Sequence, residues 1–145
     1  MIAFLKVLKM IKLSISGFWP NFNYQDNFFK SLFQEIYGDD FSYTTNPYES
    51  NLCIIGENLI PKGIDRSKTK LISHIAEPKD PFYGVTDYHF TFETTNLEKR
   101  NIRLPLWMLY INKYNLTSDQ SPILPVGISD LQNNKWYNTK KQNFV

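Results

Sequence analysis

The alternation of apolar and polar positions divides most of the chain into short, well-bounded elements. Ile11-Lys-Leu-Ser-Ile-Ser16 alternates with the period of a strand and stops at Gly17. Phe18-Trp19-Pro20-Asn21 follows with the residues of a loop, Pro20 and the asparagines at 21 and 23 being turn formers. Tyr24, Phe28, Phe29, Leu32, Phe33, Ile36 and Tyr37 then recur at helical spacing. A helix over 24–38 is predicted, with Asn23 as its cap, Asp26 three residues on and Gly38 as its terminator. Phe41-Ser-Tyr-Thr44 reads as a short strand broken by Asn46-Pro47. Leu52-Cys-Ile-Ile55 is a continuous apolar run closed by Gly56, the pattern of a strand covered on both faces of a parallel sheet.

Lys70–Ala76 and Asp87–Phe92 are the next two strands, separated by the rigid stretch Glu77-Pro-Lys-Asp-Pro81. Residues 94–103 read as a polar loop, and Pro105 is placed to open a helix over Leu106–Tyr110. The remainder carries Pro122, Pro125 and Gly127 and reads as irregular. A mainly parallel, Rossmann-like α/β sheet is the architecture that this order predicts. In such sheets ligands bind beyond the strands' C-terminal ends, where Gly17-Phe-Trp19, Gly56 and Glu77-Pro78 are expected to gather. The chain is read as a lead-in over 1–10 and a single domain over 11–145.

Composition narrows the chemistry. At 145 residues the chain suffices for one domain with a core, and 42% hydrophobic and 16% aromatic residues place it among folded proteins. The net charge of +2, with lysines scattered singly, lacks the basic footprint of a nucleic-acid binder. Cys53 is the only cysteine, so no internal disulfide forms, and its apolar surroundings suit a buried thiol. Cys53, His74 and His89 have no metal-ligand spacing. The first ten residues are apolar, but Lys6 and Lys9 interrupt them and the run is too short to span a bilayer. No transmembrane segment is expected, and a soluble chain, cytoplasmic rather than secreted, is the reading.

Candidate chemistry lies in two segments and one loop. In Ile75-Ala-Glu77-Pro78 a carboxylate leaves a strand end and precedes a proline, which restricts its backbone to extended conformations. A fixed carboxylate at the ligand edge suits a general base; a solvated loop glutamate is the plainer alternative. In Arg100-Asn-Ile-Arg103-Leu-Pro105-Leu-Trp107, Arg103 suits a carboxylate, a hydroxyl or a phosphate, or is simply a surface arginine at a helix start. Trp19, on a loop, suits stacking on a sugar or capping the core. His74 and His89 fall within strand patterns and read as satisfied structural histidines.

Taken in order, these pieces resemble the N-terminal domain of the glycosyltransferase family ten α-1,3-fucosyltransferases. The resemblance is carried by Ile11–Trp19, by Asn46-Pro47 before Asn51–Gly56, and by Ile72–Pro78. It continues through Thr86–Phe92 with Arg103–Trp107, and through the tail Trp136–Val145. It implies the N-terminal half of a B-type glycosyltransferase fold, in which an inverting enzyme moves fucose from GDP-fucose to an N-acetylglucosamine-containing glycan. Glu77 then takes the role of base, with Trp19 and Arg103 as substrate-binding residues. No metal or other cofactor is implied. The family's donor-binding C-terminal domain has no counterpart in the sequence. A complementary domain or chain is therefore the expected partner, and GDP-fucose binding is expected only with it. The alternative is a non-catalytic carbohydrate-binding or interaction module.

Overall fold

The computed structural model describes residues 10–56, 60–76, 84–92, 100–104, 106 and 109. Within them lie strand β1 (Ile11–Ser16), helix α1 (Phe28–Tyr37), and strands β2 (Phe41–Tyr43), β3 (Leu52–Ile55), β4 (Lys70–Ile75), β5 (Tyr88–Thr91) and β6 (Asn101–Arg103). Single 3₁₀ turns, Gly38–Asp40 and Pro47–Glu49, lead into β2 and towards β3. Among the described residues the strands form one sheet in the order β2-β1-β3-β4-β5-β6. Every pairing is parallel. This is the Rossmann-like α/β sheet that the alternation of elements predicts. No helix among the described residues is long and apolar enough to cross a membrane.

The register explains why a sequence of such short strands closes a core. Leu13 pairs with Leu52, Ile15 with Ile54 and Ile54 with Ile72, so one face of the sheet is a continuous aliphatic layer. Helix α1 lays Phe29 and Phe33 on that layer, together with Ile11, Phe18, Phe90 and Leu104. Burying a phenylalanine of this kind contributes about 1.5–3 kcal/mol. On the opposite face Cys53, Ile55 and Leu71 form a smaller cluster with Ile60 and Ile64 packed against it. Burial pushes the Cys53 thiol above its ordinary pKa, as expected of a packed structural cysteine.

The structure moves two expected boundaries. Helix α1 begins four residues later than predicted, at Phe28, with Asn27 rather than Asn23 as its cap. Asn27 Oδ1 accepts from Lys30 N at 3.0 Å, while its Nδ2 donates to the carbonyls of Asn23 and Tyr24. Asn23 Oδ1 accepts instead from the Gln25 and Asp26 amides, closing a separate turn that imitates a helix start. The second change lies at Asn101–Arg103, read from sequence as loop and found as edge strand β6. It has a single apolar residue, so no run announces it. Backbone pairing with β5 and a 2.8 Å bond from Thr91 Oγ1 to the buried Asn101 Oδ1 hold it. The helix expected over 106–110 falls largely outside the described residues.

Two substitutions test this account by chemical denaturation. A Cβ on Gly56 would collide with the Gly17 carbonyl oxygen and lie 3.0 Å from Phe18 Cα, and backbone cannot give way as a side chain can. Gly56→Ala is therefore expected to lower stability by about 2–3 kcal/mol. Asn27→Ala, which removes the cap and uncovers its partners, is expected to cost about 1–2 kcal/mol. A wild-type midpoint for either variant would contradict the geometry.

Candidate functional site

The strand order fixes where a ligand crevice lies. The chain leaves β1 towards β2 on one side and leaves β3 towards β4 on the other, so the direction of travel reverses between β1 and β3. In a parallel sheet that switch point, at the C-terminal ends, is where connections diverge and a crevice opens. Gly17-Phe18-Trp19 leaves β1 there, beside Gly56 at the end of β3, as the sequence leads one to expect. Gly56 N donates to Ser16 O at 2.9 Å, and the missing side chain lets the two backbones touch.

The segment leaving β1 is an ordered aromatic rim. Trp19-Pro20-Asn21-Phe22 is a turn closed by Phe22 N donating to Trp19 O at 3.2 Å. Pro20 stands at its second position and Asn21 at its third with φ of 69°, the arrangement of a type II turn. Phe18 N donates to Tyr24 Oη at 3.2 Å, tying the two ends of the loop. The rings pack on one another: Phe18 on Phe22 with centroids 4.4 Å apart, Trp19 edge-on to Phe22 at 5.2 Å, and Phe22 edge-on to Tyr24 at 5.0 Å. Phe18 is buried, whereas Trp19, Phe22 and Tyr24 are half-buried and keep part of their surface at the rim. Residues 17–24 carry no charged side chain, so the rim suits an uncharged ligand with apolar C–H faces rather than a phosphate.

The three residues singled out from sequence are not brought together by what is seen. Trp19 is in the rim and half-buried. Arg103 ends β6 rather than opening a helix; its Nε donates to Phe92 O at 3.2 Å and its guanidinium lies 5.8 Å from the exposed Phe92 ring. Four strand spacings separate β6 from β1 in the sheet order, which is about 19 Å. Glu77 lies outside the described residues; β4, two positions from β1, carries its predecessor Ala76 to the same edge. Among the described residues no group of His, Cys, Asp or Glu side chains is arranged to hold a metal ion.

The two histidines differ, although sequence treats them alike. His89 is satisfied: its Nδ1 lies 2.8 Å from Ser73 Oγ and 3.1 Å from Thr86 Oγ1 on the face away from α1. His74 is not. It lies 99% buried beneath the rim, and its Nε2 has no hydrogen-bond partner. Its ring stacks on Phe18 at 5.4 Å and 16° and meets the ring of Phe29 edge-on at 5.3 Å. Burial holds its pKa down at about 4. Tyr43, ending β2, has the other buried unpartnered polar atom among the described residues, its Oη. Burial pushes its pKa up to about 12. No spacing in the sequence separates a satisfied strand histidine from an unsatisfied one; the signal, had it been legible, was the lack of any hydroxyl beside position 74 on its own face.

No family model matches the chain, and no curated protein matches it. Among solved structures it is similar to an α1,3-fucosyltransferase crystallised with GDP-fucose, at 19% identity and a TM-score of 0.48, over 70% of this chain and 28% of that one. It is similar to a second α1,3-fucosyltransferase structure at 19% identity and 0.44, over 72% and 31%. A third, with GDP, stands at 17% identity and 0.42, over 72% and 29%. The chain thus spans about three-tenths of the length of each of these proteins.

Proposed function

We propose that this chain is the acceptor-side half of an α-1,3-fucosyltransferase-like glycosyltransferase, the N-terminal half of a B-type fold that works with a donor-binding lobe. The observation that carries the reading is the uncharged aromatic rim at the β1/β3 switch point. Its ring faces match the C–H face of a pyranose, and the absence of cations there fits the neutral acceptor glycan rather than the nucleotide diphosphate. The resemblance of residues 11–145 to that domain supplies the reaction class.

In this reading an N-acetylglucosamine-containing acceptor stacks on Trp19 and its neighbours. The acceptor hydroxyl oxygen attacks the anomeric carbon of fucose as the bond from that carbon to the GDP phosphate oxygen breaks. The proton of the hydroxyl passes to the Glu77 carboxylate, and GDP leaves with the bonding electron pair, so the anomeric configuration inverts. The donor lobe supplies the charges that receive the diphosphate. Arg103, at the far end of the edge, serves a distal part of the acceptor rather than the reacting hydroxyl.

Two measurements test the proposal. Titration of the isolated chain with an N-acetylglucosamine-containing oligosaccharide, followed by NMR, is expected to shift the Phe18, Trp19 and Phe22 signals. Trp19→Ala is expected to weaken that binding roughly tenfold, the scale of one ring contact. Mixed with a separately expressed donor-binding lobe and GDP-fucose, the chain is expected to transfer fucose, and Glu77→Gln to lower the rate by about 10²–10⁴. Full transfer by the Gln variant removes Glu77 from the mechanism. Binding with no transfer leaves a carbohydrate-binding module, and no binding at the rim overturns the reading.

A further inference from the structure

His74 sits against the rings of Phe18 and Phe29, and its Nε2 has no hydrogen-bond partner. Phe18 covers one face of its ring, Phe29 approaches edge-on from α1, and Phe90 is its register partner on β5. A neutral imidazole tolerates such a place. A proton makes both ring nitrogens donors, and Nε2 would then present an N–H with no acceptor, in a medium that cannot solvate the charge.

Among the described residues the neighbouring titratable groups do not relieve this. From the loop, Tyr24 turns its hydroxyl to the Phe18 amide, and Asp26 lies in the turn that Asn23 closes. From α1, Lys30 reaches the Gln25 carbonyl and the Tyr43 ring, while Glu35 is exposed. From β3 and β5, Cys53 and His89 belong to the opposite face. Asp87, at the other end of β5, is paired with Arg66 and Lys70. Desolvation alone depresses the His74 pKa.

Two of the walls around His74 are anchored and one is not. Phe29 belongs to a capped helix and Phe90 to a strand paired on both sides. Phe18 belongs to the rim. It follows Gly17, whose φ is +71°, and its own amide is held by the Tyr24 hydroxyl alone among the described groups. Water reaches the imidazole at least cost by displacing Phe18, without unpairing a strand.

We infer that His74 is a positioning residue for the aromatic rim: its neutral ring holds Phe18 down on the sheet, and a proton on it releases the loop 17–24 while the sheet stays intact. The inference stands whether or not the rim binds an acceptor sugar. The sign follows from the direction of the shift. His74 binds protons more weakly in the closed state, so closure is complete above the ordinary pKa of 6.5 and weakens as pH falls towards about 4. Across that interval the ratio of closed to open loop falls by up to about two and a half decades, roughly 300-fold.

NMR of the full chain between pH 7.5 and 4 tests this, with the Phe18 and Phe22 amides reporting the loop, Ile54 and Ile72 the sheet, and the His74 ring protons the titration. The expected result is that the loop signals move with the His74 titration while the sheet signals hold. In His74→Phe, which keeps a ring and cannot take the proton, the loop signals are expected to stay level. Loop signals that titrate unchanged in His74→Phe overturn the inference. So does a wild-type His74 that titrates near 6.5 with the loop still closed, or a wild-type loop and sheet that are lost together. Where His74→Phe fails to fold, the wild-type titration decides between these outcomes.

Discussion

Gly56 lies against the carbonyl of Gly17, and the upper edge of the sheet is arranged around that contact. A parallel sheet that reverses its direction of travel must carry two loops away from adjacent strand ends in opposite directions. Here the two strands stay in register to their last residues, Ser16 opposite Ile55, and the pairing continues one bond further through Gly56 N. That continuation is sterically open only because position 56 has no side chain. It fixes the take-off of the loop after β1, and so the placement of Phe18 over His74 and of Trp19 at the rim. Rim and core are therefore mechanically joined: the ring that covers a buried imidazole is next in sequence to the half-buried ring of Trp19.

The two faces of the sheet solve burial differently. Below α1 the layer is aliphatic and aromatic, and its polar exceptions, His74 Nε2 and Tyr43 Oη, go without partners. On the other face the buried polar side chains answer one another: Ser14 Oγ donates to Ser50 Oγ at 2.8 Å, Ser73 and Thr86 flank His89 Nδ1, and Thr91 meets Asn101. A buried polar group without a partner costs about 1–3 kcal/mol, whereas a satisfied bond contributes about 0.5–1.5 kcal/mol net. That the unsatisfied atoms lie at or near the C-terminal ends of β2 and β4, on the face that leads to the rim, sets that end apart from the rest of the core.

The strands whose apolar runs are continuous or strictly alternating were legible to within a residue, because burial on one or both faces dictates those patterns. Leu52–Ile55 can hardly be anything else. The helix start was not legible, because Asn23 and Asn27 offer the same side chain to the same kind of amide and only the tertiary fit of Phe28 and Phe29 decides between them. Strand β6 was not legible either: edge pairing recruits backbone groups, and Asn101-Ile-Arg103 needs no hydrophobic pattern for that. At the site, composition pointed to Trp19 and its loop because turn residues and aromatics are local signals. The state of His74 is a three-dimensional fact, set by which side chains lie across the strand pairs.

The distribution of charge bears on the division of labour in the proposed enzyme. Four ion pairs among the described residues, Lys12–Glu49, Arg66–Asp87, Lys68–Asp65 and Lys70–Asp87, lie where strands begin. Asp87 also accepts from Leu71 N at 2.8 Å, so this end of the molecule uses its charges to fix the β4–β5 register. At the opposite end the residues from 17 to 24 are neutral. A diphosphate leaving group needs cations aimed at it as charge develops, and a rim whose residues 17–24 are all uncharged is poorly made for that task. It is well made for holding a neutral hydroxyl-bearing ring still. Under the proposal this lobe orients and deprotonates the acceptor, and stabilisation of the departing nucleotide falls to the donor lobe.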